Sequence, residues 1–282
     1  MNKLIILVGL FFLTSNLSAQ NLSNKNSVFF YWGYNRSLYS TSNIHFNSNE
    51  YDITFYKVKA SDRPSPLGKV YLDPTRLSIP QYNIRLGYYI TDRVSISIGS
   101  DHMKYVVDAG QEVQMSGYIA SEVSPKYNGV HFHEKVKLTN DLLQFEHTDG
   151  LNLLTLETDY AQPLLKVKKF RVNALAGLGG IWVITRTDVR VLNDGINNHF
   201  HLSGYSFTGK LGFRFEYGNC LFFTTETKGG YMSLPDVLIH NDEQKRADHN
   251  FYFLEYYGAL GFRYPLRKVN KLINHLQSHS HR

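Results

Sequence analysis

His-Phe-His-Leu-Ser-Gly-Tyr-Ser-Phe-Thr-Gly-Lys-Leu-Gly-Phe-Arg-Phe-Glu-Tyr, residues 199 to 217, is the stretch that decides the fold. One of its alternating faces is apolar or small: Tyr205, Phe207, Gly209, Leu211, Phe213, Phe215 and Tyr217. The other face is polar or small: Ser206, Thr208, Lys210, Gly212, Arg214 and Glu216. Successive side chains of a β-strand point to opposite sides, so this pattern predicts a strand with an oily face and a charged face. An oily face bracketed by aromatic rings, opposite a charged face, is typical of a transmembrane barrel strand around a filled polar lumen.

The same alternation recurs along the chain, which is 14% aromatic and contains 20 Tyr, 18 Phe and 21 Gly. Strands are predicted over residues 28–36, 82–90, 94–103, 151–160, 170–187, 199–217, 221–231 and 251–264. The last of them has an almost purely apolar face with aromatic rings at both ends, which matches two membrane interfaces. The pattern therefore predicts an all-β protein.

The links between these strands differ in length. Short links are expected at 91–93, 161–169 and 217–219, and long ones at 37–79, 104–150, 188–199 and 232–250. Transmembrane barrels have short periplasmic turns and long outer loops. We therefore expect an antiparallel up-and-down transmembrane β-barrel of about eight strands with long outer loops, occupying residues 20–265. The barrel would have ten strands if residues 51–58 and 142–148 also cross the membrane.

The N-terminus predicts export. A single Lys3, an apolar run and a small-residue exit near Ala19 make residues 1–19 a cleaved secretory signal peptide. One cysteine, Cys220, excludes an internal disulfide. Part of the net charge of +6 lies in the C-terminal tail, and no basic helix interleaved with aromatic residues is present, so nucleic-acid binding is not expected.

The tail, residues 266–282, is basic and is expected to be periplasmic. Its apolar residues recur at helical spacing, so either a short amphipathic helix on the inner leaflet or a frayed end fits the pattern. His279 and His281 near its end are expected to be ordinary polar residues of that tail.

The chain resembles the small outer-membrane β-barrels of diderm bacteria, in the size class of OmpA-like and lipid A deacylase-like proteins. The resemblance rests on the signal peptide, the alternating strands, the turn Tyr89-Ile90-Thr91-Asp92-Arg93 and the aromatic final strand. It covers nearly all of the exported chain and identifies an architecture rather than one family. Many such barrels end at a terminal Phe, whereas about eighteen residues follow Tyr264 here. The resemblance implies a bacterial outer-membrane location and outer-membrane lipids, with lipopolysaccharide among them, as partners of a monomer.

Charged residues on the inward faces are expected to fill the lumen. An eight-stranded barrel has room only for its own side chains, and buried charges must be paired. The expected network comprises Arg85, Glu157, Lys210, Arg214, Glu216, Glu226, Lys228 and Glu255, with Arg171 and Arg263 beside them.

Two histidine-containing runs are expected to meet at the outer rim. Asp101-His102 ends the third strand, and His147-Thr148-Asp149-Gly150 enters the fourth. A histidine oriented by a carboxylate can act as a general base, so His147, Asp149, His102 and Asp101 are candidate catalytic residues. The second run is similar to the His-x-Ser-Asn-Gly-like run of lipid A deacylases, although Thr148 stands where a serine nucleophile would be needed. His131 and His133 could join a metal site, but their spacing does not specify one.

The sequence thus favours an outer-membrane barrel with a structural or interaction role at the cell surface, without cofactor or metal. The alternative is an outer-leaflet lipid acyl hydrolase with the histidine-based site. A ligand- or cation-binding mouth, a channel and a soluble lipocalin-like barrel are further possibilities. The last would have the opposite sidedness, with an apolar interior and a polar exterior.

Overall fold

The structure of the chain, a computed structural model, describes residues 23–66, 68–71, 73, 80–242 and 244–266, with residues 197 and 198 described in their backbone only. The predicted signal peptide (1–19) and the amphipathic helix predicted for the tail lie outside these residues. Thirteen strands and one short 3₁₀ turn, Lys69–Tyr71, form the described part. No helix in it is long and apolar enough to cross a membrane.

Eight strands close into a ring in chain order. They are β1 (Ser27–Tyr39), β5 (Tyr82–Tyr89), β6 (Val94–Val107), β9 (Leu143–Val167), β10 (Phe170–Val191), β11 (Asp194–Tyr217), β12 (Leu221–Leu238) and β13 (Arg246–Pro265). Every neighbouring pair is antiparallel. The ring closes between β1 and β13, from Ser27 opposite Pro265 to Tyr39 opposite Phe253. The predicted eight-stranded up-and-down barrel is confirmed.

One end of the ring, here named the turn end, has tight connections. The Thr91 hydroxyl accepts hydrogen bonds from the backbone N–H groups of Arg93 and Val94, which closes the β5–β6 turn. The β9–β10 turn uses Lys168 at φ 53°, and the β11–β12 turn uses Gly218 at φ 65°. These left-handed conformations let the chain reverse over two or three residues.

At the other end, the loop end, the strands run further than the sequence pattern predicts. Residues 188–199 are not a long loop: β10 continues to Val191, and β11 begins at Asp194. The turn between them is Leu192-Asn193, both with positive φ (56° and 69°), which is the geometry of a two-residue hairpin.

The two long N-terminal loops contain all five strands outside the ring. Four of them are β2 (Ser42–Asn47), β3 (Tyr51–Val58), β7 (Glu112–Ile119) and β8 (Gly129–Lys137). These continue the sheet from the loop end of β13 in the order β13-β2-β3-β7-β8. A fifth short strand, β4 (Ala60–Ser61), pairs with the loop end of β6. Residues 51–58 are therefore a strand but not a ring strand, and 142–148 belong almost wholly to β9, which leaves eight.

The interior and exterior of the ring exchange character part-way along the strands. In β13, the outward side chains are polar at Asp248 and Asn250 and apolar from Tyr252 to Tyr264. Its inward side chains from Ala247 to Phe253 are apolar except for His249, and the next one is Glu255. In β9, the inward side chains likewise change from Leu151 and Leu153 to Glu157 and Asp159. The same strands thus enclose an apolar interior at the loop end and a charged interior further along the barrel axis.

The turn-end part of the ring carries an apolar belt on its outside. Exposed side chains of the belt include Ile98, Leu156, Leu178, Phe207, Leu211, Leu254 and Leu260. Tyr205 and Tyr217 bracket it on β11 and, twelve residue steps apart, are separated by about 40 Å along the strand. At the tilt of about 40° usual in small barrels, the belt is about 30 Å high, which matches the hydrocarbon thickness of a bilayer.

The loop-end part has an apolar inside, here named the loop-end core. It contains, among others, Ile44, Phe46, Ile53, Phe55, Met103, Tyr105, Phe145, Leu151, Val183, Met232 and Phe251. The added strands β2, β3 and β7 complete this core. The predicted long outer loops are therefore a packed β-structure with its own hydrophobic interior.

Candidate functional site

The centre of the lumen is a network of buried ion pairs. The Arg85 guanidinium donates to Asp101 at 2.6 and 2.8 Å and to Glu157 at 2.7 and 3.1 Å, and its side chain has no exposure. Such two-sided, forked contacts fix the guanidinium plane and set the spacing of the two carboxylates.

Two lysines link further carboxylates to this centre. Lys210 Nζ lies 2.6 Å from Glu157, 2.9 Å from Asp159 and 3.1 Å from Glu226. Lys228 Nζ lies 2.5 Å from Asp101, 2.9 Å from Glu157 and 3.5 Å from Glu255. We name these eight residues, Arg85, Lys210, Lys228, Asp101, Glu157, Asp159, Glu226 and Glu255, the central lumen cluster.

A second group of charges lies nearer the turn end. The Glu216 carboxylate forms ion pairs with Arg171 at 2.5 Å and with Arg263 at 3.2 Å. The Arg214 guanidinium donates to the Tyr89 hydroxyl and stacks against the rings of Phe29 and Phe222, with centroid distances of 5.2 and 4.6 Å. Aromatic faces attract a desolvated cation, so Arg214 is held without a carboxylate partner of its own among the described residues.

The charges balance over the lumen but not within each group. The central lumen cluster has three cations and five carboxylates, whereas the turn-end group has three arginines and one carboxylate. The anionic excess therefore lies toward the loop end. All members of the central cluster are buried, so side chains rather than open space occupy this part of the lumen.

A layer of amides and carboxylates separates the central lumen cluster from the loop-end core. Asn83 donates to Asp101 and to Glu255, both at 2.7 Å, and Asn35 donates to Asn83 at 2.9 Å. Above the last β1–β5 pair, Asp62 of the first loop accepts from the Ser37 backbone N–H at 3.1 Å and from the Gln81 amide at 2.7 Å.

The structure separates the four candidate catalytic residues. Asp101 lies in the central lumen cluster, fully buried between Arg85 and Lys228. His102 points outward from the next position. It stacks on Tyr82 with a centroid distance of 5.6 Å, and its Nδ1 lies 2.9 Å from Asn152 Oδ1. Asp149 is exposed on the outer surface.

His147 is inside the loop-end core. Its Nδ1 lies 3.0 Å from Thr187 Oγ1, and its Nε2 lies 3.5 Å from Nε2 of a second buried histidine, His249. The rings of Tyr105 and Phe145 pack around the pair. Burial lowers the pKa of His147 to about 3, and it lowers the pKa of His249 well below the usual value, which the neighbouring His147 reinforces. Both imidazoles are therefore neutral at ordinary pH.

These placements do not bring a histidine, a carboxylate and a hydroxyl together beside the apolar belt, as a lipid hydrolase would require. His131 and His133 lie on β8. His131 Nδ1 is 2.5 Å from the Glu134 carboxylate, and His131 Nε2 is 2.8 Å from the Tyr127 carbonyl oxygen. Within the described residues, no group of three or more His, Cys, Asp or Glu side chains is placed to hold a metal ion.

Several residues of the lumen were not among the sequence candidates. Asp159 alternates with Glu157 on the inward face of β9, so the period-two pattern could have found it. Asp62, Gln81 and His249 lie in segments that read as loops or strand ends, and only the folded first loop brings Asp62 to β1 and β5. Gln81 is in phase with the inward residues Asn83 and Arg85, so the alternation marks it, whereas no local signal marks the inward position of Asp62 or His249.

Comparison with known proteins finds similarity to solved structures only. No protein-family model matches the chain. No curated protein matches it either. The chain is similar to the outer membrane protein OprG from Pseudomonas aeruginosa, with 9% identity, a TM-score of 0.39, and coverage of 86% of this chain and 97% of that one. It is similar to the N-terminal β-barrel domain of Pseudomonas aeruginosa OprF (11% identity, TM-score 0.31, 85% and 98% covered). It is also similar to outer membrane protein AlkL (8% identity, TM-score 0.35, 90% and 98% covered).

Proposed function

We propose that the chain is a bacterial outer-membrane β-barrel that anchors a folded β-structure at the cell surface, where it has a structural or interaction role and does not conduct. The observation that carries this proposal is the exchange of sidedness along single strands, as at Asn250 and Tyr252 of β13. The apolar belt lies in the bilayer, the turn end faces the periplasm, and the loop end faces outward, as short periplasmic turns and long outer segments require.

The energetic argument concerns the belt. A soluble barrel with this surface would expose the apolar side chains of eight strands to water, at about 25 cal/mol for each Å². In a bilayer the belt is solvated by lipid tails, and the closed ring leaves no backbone group unpaired at the strand edges.

The filled lumen supports a role other than a pore. The central lumen cluster occupies the ring at the level of the belt, and the loop-end core continues above it. An ion that followed the axis would have to displace several ion pairs and then cross an apolar interior.

The loop end supports an interaction role. The sheet extension ends at β8, which has no further neighbour within the described residues. Val130 and Phe132 on β8 are 83% and 86% exposed, and Tyr118 on β7 lies opposite Val130. Exposed apolar residues on a strand edge are typical of contact surfaces. We further propose that outer-membrane lipids surround the belt of a monomer, with lipopolysaccharide in contact with the outer rim.

Lipid-phase labelling tests the sidedness. In a Cys220→Ser background, single cysteines at positions 211 and 190 receive an environment-sensitive fluorophore, and the protein is reconstituted in vesicles with a quencher attached to the acyl chain. Leu211 points outward in the belt, and Arg190 points outward beyond it. Strong quenching at 211 and weak quenching at 190 are expected. Equal quenching, or quenching at 190 only, would show that the belt is not in the bilayer.

A further inference from the structure

Three buried side-chain oxygens on neighbouring segments at the loop end of the central lumen cluster accept no hydrogen bond from any described residue. They are Ser37 Oγ, Gln81 Oε1 and Glu255 Oε2. The three residues are 3%, 0% and 0% exposed. Leaving such an oxygen unpaired away from water costs about 1–3 kcal/mol, and more for a carboxylate.

The three oxygens come from one place in the sheet. Ser37 on β1 is directly opposite Glu255 on β13. The Asp62 carboxylate joins Ser37 to Gln81, because one of its oxygens accepts from the Ser37 N–H at 3.1 Å and the other from the Gln81 amide at 2.7 Å. The Asn35 N–H donates to the Gln81 carbonyl at 3.2 Å, which fixes Gln81 beside β1.

The charge at this place is also unbalanced. Lys228 Nζ lies 3.5 Å from Glu255 Oε2, at the limit of a hydrogen bond, while it contacts Asp101 at 2.5 Å and Glu157 at 2.9 Å. The central lumen cluster already has five carboxylates for three cations. Asp62, on which the charges of Arg36 and Lys104 act, adds another carboxylate at its loop end. A surplus of buried negative charge is costly unless a cation or a proton neutralises it.

We propose that Asp62, Glu255, Gln81 and Ser37 form a calcium site between the lumen and the first loop. The donors are two carboxylates, one amide oxygen and one hydroxyl, all of them oxygens, and Ca²⁺ prefers such a set in a flexible geometry. Neither sulfur nor imidazole is among them, so a transition metal is disfavoured. Asp62 is only half-buried, which places the entry of the ion on the loop-end side.

The site has a structural consequence. The bound ion ties the first loop, through Asp62, to three neighbouring ring strands at their loop ends. It therefore fastens the loop-end β-structure to the barrel. We expect a dissociation constant on the order of 0.1–1 mM, the range of extracellular calcium modules.

Equilibrium dialysis with ⁴⁵Ca²⁺ tests the proposal, on the full chain purified in detergent and stripped with EDTA. The wild-type chain is expected to bind one Ca²⁺ with a dissociation constant of about 0.1–1 mM and to gain thermal stability when Ca²⁺ is added. Glu255→Gln and Asp62→Asn are expected to weaken binding by at least about tenfold, which is 1.4 kcal/mol. Glu134→Gln on exposed β8 is the matched control and should bind as the wild type does.

The variants separate the ion from the fold. In EDTA, Glu255→Gln is expected to be no less stable than the wild type, because it removes one surplus negative charge. In Ca²⁺ it should lose the wild-type gain. If either carboxylate variant does not fold, Ser37→Ala removes one donor without a change of charge and should weaken binding several-fold. Absence of stoichiometric Ca²⁺ binding by the wild type, equal binding by the site variants, or saturation by Na⁺ or Mg²⁺ without Ca²⁺ would overturn the proposal.

Discussion

A charge placed on the belt should destabilise the protein according to its depth. Leu211 is halfway between Tyr205 and Tyr217 on β11, and its side chain is 67% exposed on the outside of the ring. Six residues of a tilted strand separate it from each aromatic end, so it lies near the bilayer midplane. Leu211→Arg should therefore cost about 2–4 kcal/mol, whereas Leu221→Arg, at the turn end of β12, should cost about 0–1 kcal/mol.

The assay is equilibrium unfolding by guanidinium chloride of protein reconstituted in lipid vesicles, followed by tryptophan fluorescence. The two arginine variants carry the same chemical change on similarly exposed leucines, since Leu221 is 60% exposed. The difference between their unfolding free energies thus reports depth rather than charge alone. Equal costs below about 0.5 kcal/mol, as expected for surface substitutions in water, would refute the placement of the belt in the membrane.

Three further outcomes are expected. The folded-state pKa of His147 is about 3 and that of His249 is also depressed, so below pH 6.5 the unfolded chain binds more protons than the folded chain. The free energy of unfolding should therefore fall as the pH decreases from 6.5 toward 3, by up to about 1.4 kcal/mol per histidine for each pH unit. His147→Leu should reduce the slope of the unfolding free energy against pH, and an unchanged slope would contradict this interpretation. Gly33→Ala should prevent closure of the ring, because a Cβ there would lie 2.0 Å from the Gly258 carbonyl oxygen across the β1–β13 seam. The yield of folded protein on refolding measures this closure. Gly180→Ala is the control, since a Cβ at that position meets nothing within 4 Å. Planar bilayers that contain the protein should conduct at the level of bare lipid, and discrete conductance steps would show a path through the central lumen cluster.

The transmembrane half of the fold follows from local periodicity. Residues 205–217 fix sidedness because a strand sends alternate side chains to opposite faces, whatever its neighbours are. Lys210, Arg214 and Glu216 consequently lie inside, opposite Leu211 and Phe213 outside. The parity of short turns then predicts eight strands without knowledge of any contact.

The loop end shows where periodicity fails. In β9, inward positions hold Leu151 and Leu153 near the loop end and Glu157 near the turn end, so apolar residues change face within one strand. A single rule of sidedness cannot be applied across that change. The two readings that the sequence offered, a barrel oily outside and a barrel oily inside, each describe one part of the molecule.

The candidate rim residues lie apart for a related reason. Asp101 and His102 are neighbours in sequence, and a strand points them to opposite sides of the wall. Asp101 meets Arg85 in the lumen, and His102 meets Tyr82 outside. Near the loop end, register shifts between Met103 and Tyr105 and between Thr185 and Asp188 change which residues lie opposite each other on neighbouring strands. A bulge is a property of the pairing, so residue spacing along one strand does not reveal it.

The sequence by itself determined the strand class, the up-and-down order and the sign of each face in the belt, because these depend on period-two alternation and on turn length. Only the tertiary structure decided which charges pair, that the first two loops add strands to β13, and that Asp62 reaches Ser37 and Gln81. Those contacts join segments far apart in the chain. Their positions depend on register and closure of the whole ring, which no local stretch encodes.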